Sequence, residues 1–443
     1  MTPAARQYRA ETEGTHLSTP AVQHLLGGIS SSFRTNPYTG RYLTVKRASG
    51  ATIETADGHE YIDMFMAHGS TVLGHAHPAV MDAVRRILDG GVVIGYETGL
   101  GEEIATRLSE IIPSAEAVRF VASGSEAVST ALRLCRAQTG RDIIFKIDGH
   151  FNGGSDYALL NSMWTNTDAT NHGGHPSRPI PSSDGLPPGV VDSVVPIPWN
   201  DLPALEAGLA AYQGRVAAVV MVPIDYNNGC IVPADGYLAA ARDLAHDAGA
   251  IVVFDEVLSG FKTGLGGAQA RYGVTPDLTL LSKALSCGVP LSAIAGKREI
   301  MEGFLASAPH RALQGGTFAG NLIGLAAARA TLDALSSPGF YETLTARAEG
   351  FYSDLQKGLD STPLPARVQG LGCMFGLYIG TREPVRSYAD IRALDADLAR
   401  RFFTECIREG VYFHTDFSIS SAHDGEQLAE VVERLVRVAE RVS

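Results

Sequence analysis

An apolar run at residues 251–254 ends on the acid pair Asp255-Glu256. Lys283 stands 28 positions beyond Asp255 and follows a second run, Leu278-Thr279-Leu280-Leu281-Ser282. Each has the pattern of a hydrophobic strand delivering one charged group at its end. Amine and carboxylate together are what pyridoxal 5'-phosphate (PLP) chemistry requires. The lysine forms a Schiff base with the aldehyde, and the acid keeps the pyridine nitrogen protonated so that the ring accepts electrons. Taken singly, the two residues fit a salt-bridged aspartate and a surface lysine better. The pair at two strand ends, joined by the turns below, reverses that reading.

Ser123-Gly124-Ser125-Glu126-Ala127 follows an apolar segment and opens a helical one. Backbone N–H groups plus a hydroxyl at a helix N-terminus suit a phosphate, and Ser123 with Glu126 also fits a capping box. The two uses are compatible. Gly149-His150-Phe151-Asn152-Gly153 ends the next apolar segment, and its glycines let an aromatic ring approach a flat ligand closely. Gly315-Gly316-Thr317-Phe318-Ala319-Gly320-Asn321 is a further Gly-rich turn offering a hydroxyl and backbone N–H groups.

The elements that must position these groups alternate in type. The spacing predicts helices over 79–89, 101–112, 125–138 and 237–248, and strands over 118–122, 143–147, 216–222, 251–254 and 278–281. Strands without polar alternation, spaced by helices, indicate an α/β fold with a mostly parallel sheet covered on both faces. Reactive groups in such sheets sit at the strands' carboxyl ends, where Asp255 and Lys283 fall. Residues 164–198, rich in Pro, Gly, Ser and His, read as a long loop. Beyond Pro338, amphipathic helices over 340–359, 390–409 and 425–442, with a strand over 374–379, read as a smaller α+β domain. The expected division is an N-terminal segment (1–75), a large cofactor-binding domain (76–330) and a C-terminal small domain (331–443).

The whole chain fits an enzyme of this kind. Its 443 residues carry a formal charge of −12, with 45% hydrophobic and 19% charged residues. That balance argues against nucleic acid or an anionic membrane as partner. The longest apolar stretch, 216–224, is too short to span a bilayer. The first twenty residues hold Arg6, Arg9, Glu11 and Glu13 and no apolar core, so the expected location is cytoplasmic. Five scattered cysteines form no CxxC pair and read as reduced thiols. His75-Ala76-His77 lacks partners at metal-ligand spacing, and no metal is expected.

In their order, SGSEA, GHFNG, FDEV, SKALSCGVP and GGTFAGN resemble the class III, fold-type I PLP-dependent aminotransferases, and look most like glutamate-1-semialdehyde aminomutase and β-amino-acid transaminases. The resemblance runs from about Gly27 to the C-terminus and is most specific around FDEV and GGAQARYGVTPDLTLLSKALSCGVPL. It implies that Lys283 carries the cofactor and shuttles a proton, that Asp255 pairs with the pyridinium nitrogen, and that Gly124 and Ser125 hold the phosphate. It further implies that Phe151 stacks on the ring and that Asn227 lies near the phenolic oxygen. Thr317 would reach the phosphate of a neighbouring subunit, hence a homodimer with shared sites. Arg34, in Gly27-Gly28-Ile29-Ser30-Ser31-Ser32-Phe33-Arg34, looks like the arginine that grips a substrate carboxylate, a task its bidentate fork suits.

Departures bear on the substrate. Val222 replaces the glutamate of the family's usual Glu-Pro pair, and His68 stands where the aminomutase has a substrate-side tryptophan. The segment 412–423 is shorter than in the aminomutase, without an acid matching that of its loop or the second arginine of many ω-amino-acid transaminases. The expected activity is therefore amino transfer between an amino acid, with β-amino acids as candidates, or an amine and an oxo acid, by a ping-pong mechanism. The alternatives are an intramolecular aminomutase and a decarboxylase or epimerase on the same scaffold. A dinucleotide-binding protein would need a GxGxxG turn after an early strand, and the sequence has none.

Overall fold

The computed structural model describes residues 24–162 and 179–442. Residues 164–178 of the expected 164–198 loop thus lie outside the described residues, as do Arg6, Arg9, Glu11 and Glu13; its remainder holds the short helix Pro188–Val191 and a strand.

Seven strands form the main sheet, in the order Ala117–Val121, Ser292–Gly296, Leu278–Leu281, Ile251–Glu256, Val216–Met221, Ile143–Ile147, Val194–Ile197. The last five run parallel to one another, and Ser292–Gly296 is antiparallel to both its neighbours. All of these strands except Ala117–Val121 are buried at every residue. Their largely apolar make-up follows from cover on both faces. Two strands escape the sequence reading. Val194–Ile197 carries Pro196 in its middle, and Ser292–Gly296 is built of small residues with no bulky run.

The register fixes the chemistry. Asp255 pairs with Leu280 and Glu256 with Leu281, so the acid pair forms the last two positions of its strand, two residues before Lys283 on the neighbouring one. Glu256 turns away into a structural role: its carboxylate accepts from the backbone N–H of Ala268 at 2.7 Å and from Gln269 Nε2 at 3.0 Å.

Two smaller sheets flank the main one. The first orders Val45–Ser49, Thr52–Thr55, Glu60–Asp63 and Val411–Tyr412, the last running parallel to its neighbour and drawn from the far end of the chain. The second orders Ala366–Leu371, Met374–Ile379 and Phe417–Ser418. Helices Phe340–Asp360 and Gly425–Val442 match expectation, but the predicted 390–409 helix is two, Tyr388–Arg392 and Ala396–Arg408. Asp395 makes the break, because its side chain caps the second helix by accepting from the N–H groups of Asp397 and Leu398, each at 2.9 Å. Among the described residues, no helix is long and apolar enough to cross a membrane and no His/Cys/Asp/Glu group could hold a metal ion.

Candidate active site

The carboxyl ends of the main sheet and the N-terminus of helix Gly124–Thr139 enclose a cavity of about 180 Å³. Gly124, Ser125, Phe151, Asn227, Asp255 and Lys283 all line it, together with Asn152, Val222 and Leu258. Six of the nine residues expected to build the site are thereby brought to one cavity.

At the helix end, Ser123 Oγ accepts from the Glu126 N–H at 3.2 Å, but Glu126 Oε2 reaches past the cap residue to the N–H of Ala122 at 2.9 Å. The capping box is therefore half-formed. A larger residue would be crowded at two points here. A Cβ on Gly124 would lie 3.0 Å from Val257 Cγ1; one on Gly153, which adopts a φ of +91°, would lie 2.7 Å from Ser125 Oγ. The helix start, Gly124 and Ser125, lines the cavity, and the first-turn N–H groups of a helix have no intrahelical acceptor.

Asp255 is 3% exposed, and its carboxylate accepts from Asn152 Nδ2 at 2.8 Å and from the Val257 N–H at 3.1 Å. Burial pushes its pKa above the usual aspartate value, and these bonds and Lys283 only partly oppose that. Asn152, which the sequence reading passed over although it sits in the quoted GHFNG turn, keeps its Oδ1 buried without a partner. Lys283 adopts a φ of +47°, unusual for a non-glycine residue and typical of strain held at a functional site. Burial lowers its pKa, while Asp416 and Asp255 pull it back up. Among the described residues no acceptor holds its Nζ. The buried lysines elsewhere are occupied, Lys262 Nζ donating to the Gly69 carbonyl and Lys146 Nζ to that of His150, while the partly exposed Lys297 pairs with Asp277 at 2.6 Å.

The remaining three expected residues lie off this cavity. Thr317 is exposed, on a turn whose Gly316 would bring a Cβ to 3.0 Å from Glu126 Oε1, close to the helix end. Arg34 is exposed at the end of the short turn Ser32–Arg34, whose Phe33 meets the Phe151 ring edge-on at 5.6 Å. His68 Nδ1 lies 2.8 Å from Asp416 Oδ2, and Asp416 Oδ1 accepts from Asn227 Nδ2 at 3.0 Å. The shortened 412–423 segment thus brings an acid of its own to His68 and Asn227, one that the sequence reading had not singled out.

Residues 35–436 match the aminotransferase class-III family, and the chain belongs to it. It is a PLP-dependent aminotransferase of fold type I. The chain is similar over its full length to an ω-transaminase from Sphaerobacter thermophilus (27% identity, TM-score 0.86, 98% of that chain covered). A β-phenylalanine aminotransferase from Variovorax paradoxus shares 26% identity over 99% of this chain and 93% of that one, with TM-score 0.81. A glutamate-1-semialdehyde aminomutase from Pseudomonas aeruginosa PAO1, 24% identical, has the same fold over 99% of this chain and 94% of its own (TM-score 0.83).

The donor set fits PLP. A buried carboxylate with a raised pKa calls for a cationic partner in the cavity, an unengaged amine faces it, and a helix N-terminus free of side-chain bulk can take a phosphate.

Proposed function

We propose that this aminotransferase uses Lys283 and Asp255 as its catalytic pair, with Gly124 and Ser125 on the cofactor phosphate, Phe151 on the ring face and Asn227 beside the phenolic oxygen. The observation that carries this reading is the single cavity on which all six converge. When bound, PLP supplies an aldehyde that takes the substrate nitrogen and a ring that accepts the electron pair left as a proton departs. Asp255 keeps the ring nitrogen protonated. Lys283 Nζ, once freed, takes the proton from the substrate carbon that bears nitrogen and returns it on the cofactor side. Phe151 and Val222, which line the cavity, would exclude water from the ring. The amino donor leaves as an oxo product before the acceptor enters, and the acceptor retraces the path.

Arg34 anchors a substrate carboxylate in this reading, supported by the contact of its neighbour Phe33 with Phe151 and by its charge acting on Tyr412. His68 stands on the substrate side. The substrates proposed are β-amino acids and amines with an oxo-acid acceptor, in line with the ω-transaminase and β-phenylalanine aminotransferase likenesses. Arg34→Ala is expected to raise KM for carboxylated substrates by about 2 kcal/mol or more, roughly thirtyfold, and to change that for simple amines little. Turnover of each amino acid, with and without added oxo acid, tests the reading. Sustained isomerisation without an acceptor would make the enzyme an aminomutase.

The active unit proposed is a homodimer with shared sites. Val92, Val93, Ile94 and Tyr96 form an exposed apolar stretch, and Leu313 and Phe318 lie exposed about the turn that bears Thr317. Contiguous apolar surface of this kind marks a protein interface. Co-expression of a Lys283→Ala chain with a Thr317→Ala chain tests the sharing, since mixed dimers should hold one site intact on both counts. Activity no higher than that of the separate homodimers would refute it. The three sheets support a division into 1–75, 76–330 and 331–443, the strand Val411–Tyr412 tying the first to the third. Five buried, unpaired cysteines support a reducing, cytoplasmic location.

A further inference from the structure

We infer that Asp416 is a positioning residue of the amino-transfer site: its buried carboxylate fixes the Asn227 amide and, as a second anionic neighbour, holds a proton on the Lys283 nitrogen. The inference rests on the proposed role of Lys283. Asp416 is fully buried on the 412–423 segment, and both its oxygens are engaged, one by Asn227 Nδ2 at 3.0 Å and one by His68 Nδ1 at 2.8 Å. Asn227 lines the same cavity as Lys283. With its NH₂ group turned to Asp416, the amide is held in one of its two orientations, leaving Oδ1 and the second N–H for the cavity.

The backbone is distorted to make this contact. Met66, Ala67 and His68 have φ of 48°, 54° and 57°, three consecutive non-glycine residues in the left-handed region. Such strain persists only where the surroundings over-determine it. Here Lys262 Nζ donates to the Gly69 carbonyl, and Asp416 engages His68. Burial alone would neutralise a carboxyl at this place. Against that, His68, Lys283 and Asn227 hold it below the usual aspartate range, so the group is an anion. The charge acts on Lys283 ahead of that of Asp255. Lys283 therefore feels two carboxylates and in turn opposes a proton on Lys262; Tyr38, His414 and Asp225 are the other titratable groups that feel Asp416.

The consequence is a Lys283 nitrogen that keeps its proton to higher pH than a buried amine facing Asp255 alone. A purely structural brace would need only the hydrogen bonds, whereas this role needs the charge. Asp416→Asn separates the two, because it preserves shape and removes the anion. In apoenzyme, the pH midpoint for acylation of Lys283, read by peptide mass spectrometry, is expected to fall by about one unit or more, a tenfold or greater loss of proton affinity. In holoenzyme the pH midpoint of the cofactor's absorbance is expected to fall in parallel. The shift should be at least as large as that of Asp255→Asn in apoenzyme. If the Asn protein does not fold, His68→Leu/Asp416→Ala, which removes both partners together, carries the same expectation. A lowered Tm with both midpoints unmoved would overturn the inference. Attachment of the cofactor to another lysine would overturn the site assignment instead, leaving the apoenzyme result as an independent reading of Asp416.

Discussion

Lys283→Ala is expected to lower turnover by more than about 10⁴-fold while the protein still binds PLP. Loss of the amine removes both the covalent anchor and the group that moves the proton, each worth orders of magnitude in rate. The helix end at Gly124-Ser125, the Phe151 ring and the Asp255 carboxylate are untouched, so cofactor binding weakens without disappearing. No other lysine can substitute. Lys146, Lys262 and Lys297 are each held by carbonyls or a carboxylate, and none lines the cavity. Dialysis against free cofactor, followed by absorbance and steady-state assays, measures both effects. Residual turnover within tenfold of wild type would remove Lys283 from the mechanism.

Asp255→Asn is expected to cost about 3 kcal/mol or more in kcat, roughly 10²-fold or beyond, with little change in cofactor content. An amide cannot keep the ring nitrogen protonated, and an unprotonated ring is a poor electron sink. The fold should tolerate the change. Asn152 can flip so that its orphaned Oδ1 accepts from the new amide, while the remaining oxygen still accepts from the Val257 N–H. Stability should even improve in the apoenzyme at neutral pH. The folded-state pKa of Asp255 is raised by burial, so the folded chain binds this proton more tightly than the unfolded one. Wild-type stability therefore falls as pH climbs from the unfolded aspartate pKa through the raised one. The variant lacks that loss. Apoenzyme Tm equal to or above wild type at pH 7, together with a collapsed kcat, is the expected pair of results. A fall in Tm with kcat preserved would make Asp255 a structural residue.

What could be read from the sequence was what local runs announce. Asp255 and Lys283 close unbroken apolar strands, and such a run states both where a buried strand ends and which residue it releases. Gly124 and Phe151 were legible for a related reason, since a strand followed by glycines and a helix start leaves few places for the chain to turn. Asn152 stood in plain view beside Phe151, but nothing in its neighbourhood announces a bond to a carboxylate 103 positions away. Asp416 was hidden more deeply. It lies between two-residue strands too short for any periodicity, and its partners Asn227 and His68 are 189 and 348 positions distant. The comparison with the aminomutase loop looked only for a matching acid, whereas the segment's own aspartate, one residue before the strand Phe417–Ser418, is buried. The strand Ser292–Gly296 was missed because small residues suffice where two neighbours already fill the space. The division of the 390–409 helix was missed because Asp395 reads as an ordinary polar position until its side chain is seen capping the next turn.

The central claim is that one particular lysine, Lys283, carries the cofactor. Reduction of the holoenzyme with borohydride, followed by proteolysis and peptide mass spectrometry, tests it without reference to any substrate. The account predicts a single cofactor-bearing peptide with the adduct on Lys283, lost in the Lys283→Ala protein. An adduct on Lys146, Lys262 or Lys297 would contradict it.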